Sequence, residues 1–136
     1  MKAFIILLAL TFSSFSFAQS AACKSKFNAG VKNFDGGVKA HNKGVNLYNT
    51  IATAETTEKA CATIKLAIPQ FTAAEKGFTT AGASFKAAAR ICDPRNVEIA
   101  KQNTTRALTN LELATKYKTN LTEFQTLSCP AAFIEE

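Results

Sequence analysis

Few side chains in this chain of 136 residues have both the type and the placement to do chemistry: the single histidine His41, the carboxylate Glu75, the amide Asn110, the phenol Tyr117 and four cysteines. His41 and Glu75 are the two ionisable residues on otherwise apolar seams. An imidazole beside a carboxylate is the smallest pair able to pass a proton. Buried together, the two would share a hydrogen bond, because an unpaired buried charge is costly. Asn110 and Tyr117 fall near the same level, which predicts a polar layer at mid-chain height. Such a layer has three readings: a structural device that fixes helix register, a solvent-lined edge, or a ligand site.

Other chemistries lack their parts. A closed zinc site needs four ligands, and one histidine with cysteines better used in disulfides does not supply them. No C-x-x-C-H motif is present and the only methionine is Met1, so attached haem and His/Met ligation are both excluded. No serine lies in G-x-S-x-G, and Ser25, Ser84 and Ser128 are the serines of the expected helices. The expectation is a protein that is not an enzyme and carries no cofactor or metal.

The N-terminus reads as a targeting segment. Met1 and Lys2 precede a mostly apolar run from Ala3 to Phe12, too short to cross a bilayer core of about 30 Å as a helix. Ser16 and Ala18 take the small-residue positions of a cleavage site, which predicts a signal peptide over 1–18 and one mature domain over 19–136. Ser20-Ala21-Ala22-Cys23 offers a rival, a faint likeness to a bacterial lipobox with Cys23 lipidated. Cysteine parity favours the first reading, since export suits disulfides and lipidation would strand an odd thiol. The localisation expected is secreted or periplasmic.

Three seams then organise the mature chain. Phe27, Val31, Phe34, Val38, His41, Val45 and Tyr48 alternate spacings of four and three, with Asn28, Lys32, Asp35, Lys39, Asn42 and Asn46 on the opposite stripe. That predicts a helix over 24–53. Cys61, Ile64, Ile68, Phe71, Glu75, Phe78, Gly82 and Phe85 predict a second over 57–91, bent near Pro69. Asp93-Pro94 is an N-cap followed by a proline whose missing N–H costs nothing there, opening a third helix over 94–128. The connections are too short for anything but antiparallel neighbours. The fold expected is an all-α, up-down-up three-helix bundle.

In that topology Cys23 and Cys92 share one end while Cys61 and Cys129 share the other. Helices of about 30 residues are about 45 Å long, so only those two pairings bring Cα atoms within about 7 Å. Each would close a loop of about 70 residues, worth about 4 kcal/mol in the chain-entropy view. The Cys23–Cys92 bridge also sets a register in which Gly30 falls level with Phe85, Gly37 with Phe78 and Gly44 with Phe71. Helical glycines cost about 1 kcal/mol each, and knobs entering gaps would justify them. A helix break at Gly36-Gly37 is the alternative.

The net charge of +6 is spread thinly. Lys32, Lys39 and Lys43 form a basic strip diluted by asparagine, suited at most to an anionic surface component. Export, with no interleaved arginine or aromatic residues, argues against nucleic acid. Asn103-Thr104-Thr105 and Asn120-Leu121-Thr122 match glycosylation sequons in helical settings. Leu108 and Leu113 lie off the main seam and offer a homodimer contact. These readings converge on an exported, non-catalytic module that binds another protein or a surface component. The alternative is a small-molecule carrier or sensor with its ligand around His41 and Glu75.

Overall fold

The computed structural model describes residues 20–133; the expected signal peptide, residues 1–18, lies outside the described residues. Three helices, α1 (Ala21–Ile51), α2 (Thr57–Ala89) and α3 (Pro94–Ser128), are followed by a 3-10 turn over Ala131–Phe133. Their bounds match the expected ones to within about a turn. Each start is capped by a side-chain oxygen that accepts an otherwise orphaned backbone N–H. Ser20 accepts from Cys23 at 3.2 Å, Thr56 from Lys59 at 3.2 Å and Asp93 from Asn96 at 3.0 Å. The alternative of a break at Gly36-Gly37 is not realised, since α1 is continuous there, and α2 is continuous through Pro69, which is exposed.

The chain runs up, down and up, with α2 in the middle. Helices α1 and α3 both pack along α2 but scarcely on each other. Two disulfides hold the ends in the expected pairing, Cys23–Cys92 with Cα atoms 5.1 Å apart and Cys61–Cys129 with Cα atoms 5.7 Å apart. A lipidated Cys23 is incompatible with the first of these bonds.

A seven-residue rhythm fills the interior. On α2, one buried column holds Ile64, Phe71, Phe78 and Phe85 and a second holds alanines from Ala60 to Ala88. On α1 the columns are Phe27, Phe34 and His41 beside Gly30, Gly37 and Gly44; on α3 they are Asn96, Asn103 and Asn110 beside Ala100, Ala107 and Ala114. The α1 glycines are notches for the α2 rings. A Cβ at Gly30 would lie 2.6 Å from Phe85, one at Gly37 2.8 Å from Phe78 and one at Gly44 2.9 Å from Phe71. At Gly77 the two backbones themselves touch, since a Cβ there would meet the Cα and N of Gly37 at 2.7 Å. Rings from α1 then meet those of α2 edge to face, with centroids at 5.2 Å for Phe27–Phe85 and 5.4 Å for Phe34–Phe78.

Candidate functional site

His41 is the third rung of that aromatic ladder. Its column puts it where Phe27 and Phe34 stand in the preceding heptads, and its ring meets Phe71 edge-on at 5.5 Å. Tyr117 of α3 closes over it at 5.6 Å, lying flat against Phe71 at 5.2 Å and edge-on to Tyr48 at 5.0 Å. The imidazole is fully buried and neither Nδ1 nor Nε2 has a hydrogen-bond partner. Burial in this apolar cage lowers its pKa, so the ring is held neutral. Burial also raises the Tyr117 phenol, and the neighbouring Tyr48 adds to that shift.

The expected pairing of His41 with Glu75 does not form. Helix α2 meets a neighbour on each side, so its buried surface is wider than one seam, and Glu75 belongs to the column of Cys61 and Gly82 on the side of α3. There Thr115 Oγ1 donates to Glu75 Oε1 at 2.9 Å and Lys118 Nζ to Oε2 at 2.7 Å. Asn110 is buried on α3, but seven residues from Tyr117 is about 10 Å along the axis. Of the four expected members, Glu75 is engaged elsewhere, and His41 and Tyr117 meet ring to ring. That contact is aromatic and holds no partner for proton transfer.

A feature missed in the sequence lies one heptad further on. Where α1 ends, Tyr48, Ile51 and Ala52 of α1, Ile64 of α2 and Asn120, Leu121 and Phe124 of α3 line a cleft of about 380 Å³. The signal for it was present, because Tyr48 and Phe124 continue the columns of His41 and Tyr117. Phe124 is 43% exposed and Leu127 85% exposed. A shallower depression on α1 has Gly36 in its floor and Lys32, Asp35 and Lys39 at its rim. That is the basic strip, and Asp35 offsets it.

Other sequence candidates are placed plainly. Asn103 is buried while Asn120 is exposed at the cleft, so of the two sequons only the second is accessible. Leu108 is half exposed and Leu113 partly buried. Among the described residues no group of three or more His, Cys, Asp or Glu side chains is placed to hold a metal ion. No helix among them is long and apolar enough to cross a membrane. Comparison with protein-family models, with curated proteins and with solved structures finds no match.

Proposed function

We propose that this chain is an exported, non-catalytic helical module that binds a protein partner through the cleft between the ends of α1 and α3. The observation that carries the reading is the cleft itself: all three helices contribute to it, and its lining is apolar except for Tyr48 and Asn120. Phe124 is exposed in this lining, Tyr48 and Ile51 are half-buried beside it, and Ile64 and Leu121 are buried beneath, which makes an apolar concave site with an aromatic at its edge. Two disulfides support an oxidising compartment, outside the cell or in the periplasm. The non-catalytic part rests on His41, the one buried imidazole, making no hydrogen bond to an acid or base.

The reading is tested by parallel pull-downs from the native envelope or secretome with the wild-type protein and with Phe124→Glu. A partner retained by the first and lost by the second supports it. Identical captures by the two refute it. The carrier reading keeps one supporting observation, a cleft volume within the range of small-molecule sites, roughly 300–1,000 Å³. It loses Glu75, whose oxygens are already occupied. A ligand that raises the melting temperature of the wild-type protein but not of Phe124→Glu would favour it.

A further inference from the structure

A phenylalanine would suit the rung that His41 holds. Phe27 and Phe34 fill the equivalent places and meet Phe85 and Phe78 in the same edge-to-face manner as His41 meets Phe71. The chain instead buries an imidazole with both nitrogens unpartnered, which packing alone does not call for.

Among the groups that face the ring, none is a carboxylate that could pair with an imidazolium. From α2 it is faced by Phe71 and Phe78, and the nearest acid along that helix, Glu75, is engaged by Thr115 and Lys118. From α3 it is faced by the neutral phenol of Tyr117, whose neighbours Lys116 and Lys118 are respectively exposed and bound to Glu75. On α1 itself the closest charges, Lys39 and Lys43, are exposed. The four lysines would repel an imidazolium, and Glu75 is already engaged. The covalent staples do not tie α1 to α3: Cys23–Cys92 joins α1 to α2 at one end and Cys61–Cys129 joins α2 to α3 at the other.

We propose that His41 is an acid-sensitive latch whose protonation expels the ring from its aromatic cage, loosens α1 from Tyr117 and opens the cleft above it. The closed state keeps the ring neutral, whereas an opened or unfolded chain titrates near the ordinary value of about 6.5. Below that value the open state binds more protons. Stability is therefore complete above about pH 6.5 and falls as the pH drops, until the closed-state ring itself takes up a proton. In that window one proton per molecule changes the opening equilibrium by at most about tenfold per pH unit.

The chain suits a direct test, because it has one histidine, two tyrosines and no tryptophan. The histidine ring signal in NMR belongs to His41 alone, and tyrosine emission reports only Tyr117, which touches His41, and Tyr48, which touches Tyr117. In the disulfide-intact protein the ring signal should titrate below about 6.5. The unfolding equilibrium constant in urea should rise by up to about fivefold between pH 6.5 and 5.5, with tyrosine emission changing over the same interval. His41→Phe should remove both responses. A ring that titrates at or above the ordinary value in the folded protein overturns the proposal, as does a pH response that survives His41→Phe. If that variant does not fold, the wild-type ring titration decides alone.

Discussion

Helix α2 carries two interfaces built on different physics. Towards α1 it sends Phe71, Phe78 and Phe85 into glycine notches, and Gly77 lets the backbones touch at Gly37. Towards α3 it offers Gly82, where an added Cβ would meet Ala107 and Leu108 only at ordinary van der Waals distance, and the charged group Glu75, bound by Thr115 and Lys118. The first interface is fixed by shape and tolerates almost no added volume. The second is fixed by a polar anchor and a disulfide, and its buried asparagines leave it less apolar. A rigid seam and a softer one on the same helix make α1 the element whose position depends on each rung, and His41 is the rung that differs.

The largest effect is expected where the rigid seam is tightest. Gly77→Ala gains about 1 kcal/mol of helix propensity but places its Cβ against the backbone of Gly37 and the carbonyl of Asn33, which cannot rotate away. Overpacking of this kind forces the helices apart, and a net loss of about 1–2 kcal/mol is expected in urea unfolding. An unchanged midpoint would show that the α1–α2 approach is looser than the geometry implies.

The same comparison explains what was legible in the sequence. The notches were legible because both partners are conspicuous: glycines every seven residues on one helix and phenylalanines every seven on the other, related by one disulfide-set register. Gly77 was missed because it stands alone in its column between Gln70 and Ser84, although the register that pairs Gly37 with Phe78 also brings Gly37 next to Gly77. Glu75 lies on the α3 side because a helix between two neighbours has two seams, which a single periodic stripe does not distinguish. The partial separation of α1 from α3 left no mark on periodicity. It depends on the angle at which each sits on α2, and side-chain spacing along one helix does not encode that angle.

A second substitution sharpens the contrast within two adjacent residues. A Cβ at Gly36 would have nothing within 4 Å, whereas one at Gly37 would strike Phe78 at 2.8 Å. Gly36 is helical and has no positive φ, so alanine adopts its conformation without strain. Gly36→Ala should therefore stabilise the protein by about 0.5–1 kcal/mol, through helix propensity and a less flexible unfolded chain. Loss of stability at this position would mean that the depression on α1 is doing something in the folded state that its geometry does not reveal.

The smallest effect belongs to the softer seam. Glu75 and Lys118 keep side-chain exposures of 20% and 34%, so water already screens the pair and its net contribution is at most about 0.5 kcal/mol. Glu75→Gln retains an acceptor for Thr115 while removing the charge opposite Lys118. Combined with Lys118→Met in a double-mutant cycle, it isolates the charge–charge part, because methionine keeps most of the lysine stem. The coupling should shrink further in high salt. A coupling of about 2 kcal/mol or more would place this pair with buried ones and make the α2–α3 interface the more tightly specified of the two. The small value expected instead leaves α3 held chiefly by Cys61–Cys129 and by alanine packing. On that footing, reducing the disulfides should release α3 before α1 at neutral pH, and lowering the pH with the disulfides intact should loosen α1 first.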